Sequence, residues 1–252
     1  MFGYEGVGSK LKNLEMNLEK IGLIDSRNQK LWEKLNETHS ISVQLSDYPN
    51  YACYSENNES IIYVTENNID INSFTHELLH IFIRQKEIFI GSSIKLLING
   101  NETLSKLFSN DLIEHFGNCL DHIKMLPIYL ELGFDKKKFI TDYDVNKCSK
   151  SEVQAIKNGF KVRGTYYYEF VDYYIGKFIA IKSDPKQHIN YPKSLKELKN
   201  IDSNLFEILE TLINQWVQVP IEKVNIWDDD YNSISYEFYE NLLNWTKSKT
   251  FR

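Results

Sequence analysis

His76 and His80 stand four residues apart in the stretch "INSFTHELLHIFI", and Glu77 follows the first of them directly. On an α-helix, residues i and i+4 lie on one face about a turn apart. The two imidazoles can therefore aim at one point, where bonds of about 2.0–2.1 Å would hold a Zn²⁺ ion. Glu77 sits about 100° round the axis from His76 and can reach a water on that ion without itself being a ligand. Ion, water and carboxylate are the parts needed for metal-assisted hydrolysis: the metal lowers the water's pKa and the carboxylate takes its proton.

Catalytic zinc takes three protein ligands and keeps a fourth position open. His115 and His122, with Glu114 and Asp121, are carried by "NDLIEHFGNCLDHIKML" at 110–126. Helical phase puts Asp111, His115, Asn118 and His122 along one stripe, with Glu114 and Asp121 at its edge. His122 is the favoured third ligand, because "NxxDH" sets Asn118 one turn before it as a hydrogen-bonding partner for the ring. Glu114 and Asp121 are the alternatives. His115, Asn118, and Tyr166 or Tyr167 of "RGTYYYEF" are candidates to steady an oxyanion or support the ligands, as are Arg163 and Tyr168. "WDDDY" at 227–231 lacks the Gly and Glu positions of a calcium loop and reads as a solvated turn. His39 and His188 fall in polar stretches that read as exposed loops.

These residues need a scaffold. The segment 9–37 keeps the three-to-four apolar spacing of a helix. "ISVQL", "YACYS" and "SIIYVT" are short β-branched and aromatic runs separated by turn compositions, and they predict two or three antiparallel strands. The histidine helix follows, capped by Asn72 or Ser73 and running to about Glu87. Further helices are expected near 93–98, 103–108 and 110–126, the last broken or kinked by Pro127. Others follow at 164–183, 194–199, 203–218 and 235–247. The fold class is α+β: mainly helical, with a small antiparallel sheet before the "HELLH" helix. The expected division is a metal-binding core at 1–130 and a helical half at 131–252 packed on it.

Composition sets bounds on function. The 252 residues are 42% hydrophobic and 13% aromatic, enough for a real core, and the net charge is −6. Basic residues are scattered, so no concentrated positive face for nucleic acid is expected. Cys53, Cys119 and Cys148 are odd in number and unpaired by spacing, which argues against a disulfide framework and a thiolate zinc knuckle. No apolar run approaches the roughly 20 residues of a membrane span, and the first residues lack a secretory pattern. A cytoplasmic protein without a membrane partner is expected.

The pentapeptide "HELLH" resembles the signature of the zincin metallopeptidases, and the likeness extends over about 60–125. It is nearest to small cytosolic bacterial zincins such as the ImmA/IrrE-like group, which usually has Gly where this chain has Leu79. The resemblance implies a zinc-dependent peptidase acting on a peptide or protein, with His76 and His80 as ligands and Glu77 as general base. It also implies a substrate-pairing edge strand before the helix, where "SIIYVT" stands. Two other readings share the motif: a protein-binding module on the same fold, and a zinc hydrolase of small amides.

Overall fold

The structure is a computed structural model and describes residues 18–186, 191–221 and 230–252. The chain divides into two compact units, the first comprising residues up to Gln85 with Leu132–Phe134, the second Lys86–Glu131 with Asp135–Arg252.

In the first unit, α1 (Gln29–Asn36) leads into β1 (Ser40–Ser46), β2 (Ala52–Glu56), β3 (Glu59–Thr65) and α2 (Ile71–Gln85). The part of the expected 9–37 helix before residue 18 lies outside the described residues, and within them the helix begins only at Gln29, because residues 18–28 form turns that include Gly22 at φ 81°. The sheet order is β1-β3-β2, with β1 parallel and β2 antiparallel to β3. Two sequence expectations are corrected here. The sheet is mixed, because β3 folds back on β2 as a hairpin and lies between β2 and β1, running parallel to β1. "SIIYVT" is consequently the central strand, and among the described residues no strand pairs with the outer edge of β2. The buried positions of β3 (Ser60, Ile62, Val64) alternate with half-exposed ones, as a sheet with one covered face requires.

Helices α1 and α2 supply the cover. Leu31 and Leu35 of α1 and Phe74, Leu78 and Ile81 of α2 are buried, and Trp32 meets Phe74 at 5.9 Å between ring centroids. His39 is buried at the reversal from α1 into β1, contrary to the loop exposure its polar neighbours suggested. Its backbone N–H is tied to Leu35 O at 2.9 Å, which pulls the turn inward.

The second unit is helical: α3 (Ile90–Asn99), α4 (Glu102–Leu107), α5 (Asn110–Glu131), α6 (Lys150–Gly159), α7 (Tyr168–Ser183), α8 (Tyr191–Ile201), α9 (Ser203–Gln218) and α10 (Asp230–Thr246). Its core runs from Phe116 and Leu120 of α5 through Tyr174, Ile175 and Phe178 of α7 to Leu209 and Trp216 of α9. α5 continues through Pro127 to Glu131, so this proline does not end the helix. Short strands β4 (Lys161–Val162), β5 (Thr165–Tyr166) and β6 (Thr250–Phe251) form a second sheet that ties the C-terminus to the start of α7. The sequence pattern read only helix from 164 onward; two-residue strands carry too little periodicity to register. Among the described residues, no helix is long and apolar enough to cross a membrane.

Candidate metal centre

Helix α2 is fixed at its start by side chains its periodicity does not reveal. Asp70, rather than Asn72 or Ser73, is the cap: its carboxylate accepts from Ser73 N at 2.9 Å and Asn72 N at 3.3 Å. The Tyr51 hydroxyl accepts from Asp70 N and donates to Asn68 O, both at 2.9 Å. One turn on, Thr75 Oγ1 donates to Ile71 O at 2.8 Å and accepts from Nδ2 of the wholly buried Asn28 at 2.9 Å. Asn28 also donates to Leu23 O and accepts from Asp25 N, each at 2.9 Å. These bonds set the rotation of the helix just before His76.

The His76 and His80 rings lie 5.0 Å apart between centroids at 67°, both half-buried, with Nδ1 of His76 shielded from solvent. Glu77 is also buried, at 9% exposure. Leu79 and Ile83 are buried as well, because α2 is covered nearly all round. Burial raises the Glu77 carboxyl above its ordinary range. His80 and hydrogen bonds from the Cys53 side chain and backbone act in the opposite direction.

On α5, Gly117 permits close approach to α3: a Cβ on Gly91 would lie 2.8 Å from Gly117 Cα. Trp216 Nε1 donates to Leu120 O at 2.9 Å, and Lys124 Nζ donates to Val219 O at 2.6 Å and Val217 O at 3.1 Å at the end of α9. The half-buried His122 packs edge-on against Phe139, 5.4 Å between centroids.

Among the described residues, one group of side chains able to hold a metal comes together. His76, His80 and His122 each offer a ring nitrogen, and these atoms all lie within 4.8 Å of one another. Tetrahedral zinc with bonds of about 2.0–2.1 Å sets its donors roughly 3.3 Å apart. Three imidazoles at this spacing fit such an ion after side-chain movements of about an ångström, and such ligands suit zinc and several other divalent ions. The three histidines thus lie close enough to bind a metal.

The other candidates lie as follows. Glu114 is exposed and paired with Lys95 at 2.7 Å. Asp121 is buried beside His122 in sequence, at 2% exposure. Asn118 is exposed. His115, also exposed, approaches the Cys119 sulfur at 3.5 Å, and burial pushes that thiol up to about 12. A neutral, buried thiol is no nucleophile, so this pair does not form a cysteine-hydrolase site. Tyr166 is buried in an aromatic cluster with Phe160, Trp245 and Phe251. Tyr167 precedes α7, Tyr168 stacks on Phe251 at 5.5 Å, and Arg163 occupies the β4–β5 turn at φ 50°. His188 and most of "WDDDY" lie outside the described residues.

Comparison with family models, curated proteins and solved structures returns no match.

Sequence reasoning missed Cys53, Asn28 and Asp70. Asp70 was legible in principle, since "DIN" places an Asp immediately before the helix. Asn28 could not be read, because its partner Thr75 is distant in sequence.

Proposed function

We propose that this chain is a zinc-dependent peptidase of zincin type, with His76, His80 and His122 as the protein ligands and Glu77 as the general base. The observation that carries the reading is the convergence of three imidazoles beside a buried carboxylate. A structural zinc site, by contrast, closes all four positions and usually recruits cysteine. A divalent ion held there supplies Lewis acidity, which activates water and polarises the scissile carbonyl.

The chain's own part is proton handling and alignment. Glu77 takes a proton from the attacking water on a carboxylate oxygen and returns it to the leaving amine nitrogen. A peptide is favoured over a small amide by the open edge of β2, the strand whose Cys53 contacts Glu77. Apart from the Cys53 N–H, which faces Glu77, such an edge offers backbone N–H and C=O groups to an extended chain.

The test is Glu77→Gln in the full-length protein, with bound zinc measured alongside hydrolysis of a quenched-fluorescent peptide library. The substitution is expected to leave one zinc per chain and to reduce turnover by about 10²- to 10⁴-fold. Hydrolysis that persists in the variant, or a wild-type chain that takes up no divalent ion, would refute the reading.

A further inference from the structure

Cys53 occupies an unusual place relative to Glu77. β2 and β3 are joined by a two-residue turn with Asn57 at φ 53°, the positive first position of a type II′ hairpin. In such a hairpin the closing pair, Glu56 and Glu59, exchanges both ladder bonds, and the pairs then alternate. Counting back, Tyr54 pairs with Ile61 through hydrogen bonds, while Cys53 and Ile62 form a non-hydrogen-bonded pair. The Cys53 N–H therefore points away from β3, off the open edge of the sheet. Side chains alternate as well: Tyr54 is 56% exposed, whereas Cys53 is half-buried on the side covered by α2. Backbone N–H and thiol thus both lie toward that helix, within hydrogen-bonding reach of the Glu77 carboxyl.

We propose that Cys53 is a positioning residue for Glu77, its edge N–H and its thiol together fixing the direction of the carboxylate. The inference rests on the reading of Glu77 as general base, but the contact itself can be tested without it. A buried carboxylate on two freely turning side-chain bonds has several rotamers. A donor on a sheet strand selects one, since the strand is held by its ladder while the acceptor rides on the helix. The thiol is a weak donor, so the backbone N–H sets the position and the sulfur narrows it. A base misaimed by about an ångström loses up to 10²-fold in rate.

The first readout is amide exchange in the full-length protein by NMR. An edge N–H outside the ladder exchanges readily unless something accepts from it. In Glu77→Ala the Cys53 amide is expected to exchange about tenfold faster than in wild type, with Tyr54, held in the ladder, unchanged. Equal Cys53 rates in the two proteins, with Tyr54 still protected, overturn the proposal. Loss of Tyr54 protection would mean a disrupted strand, and Glu77→Gln, whose side chain can still accept, then replaces the alanine variant with partial deprotection expected.

The second readout is iodoacetamide alkylation followed by peptide mass spectrometry. Cys119 and Cys148 are buried and serve as internal controls. The Glu77 carboxyl covers and engages the thiol, so removing it is expected to speed alkylation at Cys53 about threefold or more. No change contradicts the thiol contact.

The third readout uses peptide hydrolysis. Cys53→Ala is expected to lower kcat about five- to fiftyfold at unchanged KM and zinc content, and Cys53→Ser, which restores a donor, to recover most of it. A serine variant as poor as the alanine one would reduce the sulfur to packing. If no Glu77-dependent hydrolysis exists, the peptidase reading falls, while exchange and alkylation still decide the contact.

Discussion

Replacing Asn28 with Ala tests whether a buried amide sets the pose of the histidine helix. Asn28 is wholly buried and makes three hydrogen bonds of 2.9 Å, to Leu23 O, Thr75 Oγ1 and Asp25 N. Each is worth about 1 kcal/mol net, and truncation leaves the Leu23 carbonyl and the Asp25 amide without this partner inside the protein. Removal of the amide also opens a small void. The sum is a destabilisation of about 3 kcal/mol, with about 1 kcal/mol of it assigned to the Thr75 bond. Thr75→Val removes the same bond from the other side, so the double variant should be less destabilised than the two singles added together by about that amount. Denaturant unfolding of the metal-free protein, followed by far-UV circular dichroism, measures all four species. A cost below about 0.5 kcal/mol for Asn28→Ala, or strict additivity with Thr75→Val, would refute the idea that this network anchors α2.

Other consequences follow from single residues. His122→Ala should lower zinc affinity by 10-fold or more, about, whereas Glu114→Ala, which removes only an exposed partner of Lys95, should leave it unchanged; equilibrium dialysis of metal against each variant decides between them. Gly91→Ala should destabilise the protein by about 1–3 kcal/mol, because its Cβ would meet the Gly117 backbone at 2.8 Å and α3 and α5 would have to part. Chemical denaturation measures the cost, and wild-type stability would show that the helices can separate freely.

Glu152 gives a pH prediction. Its burial alone would raise the carboxyl, but bonds from Lys177, Ser149 and Tyr173 hold it down at about 2, from an ordinary 4.5. A carboxyl lowered on folding stabilises the native state above its unfolded pKa, and that stabilisation fades as pH falls from 4.5 toward 2. Fully realised it would be worth about 3 kcal/mol, and solvent reaching the Lys177 pair screens this to about 1–2 kcal/mol. Glu152→Gln should therefore be destabilising near pH 6, with a penalty that at least halves by about pH 3; a penalty independent of pH would show that the ion pair contributes nothing.

The elements rich in periodic pattern were legible in the chain. Strands at 41–45, 51–55 and 60–65 and the helices around α2, α5, α9 and α10 follow from alternation and three-to-four spacing, which act within a few residues. The pairing of His76 with His80 is local in the same sense, since helix geometry alone brings i and i+4 together. Strand order is another matter. Alternation is identical for a central strand and an edge strand with one covered face, so "SIIYVT" could not announce that it lies between β1 and β2.

The candidate site divides along that same line. The chain by itself determined two imidazoles on one helical face and a carboxylate next to them. It also offered Glu114, Asp121 and His122 on a second helix. Tertiary packing brought His122 within 4.8 Å of His76 and His80, left Glu114 exposed to pair with Lys95, and turned the Cys53 edge toward Glu77. Helix rotation depends on anchors such as Asn28 under Thr75, Trp216 on the Leu120 carbonyl and the bare backbone at Gly91 and Gly117. Each of those joins residues distant along the chain, and a pattern that repeats every few residues carries no record of them.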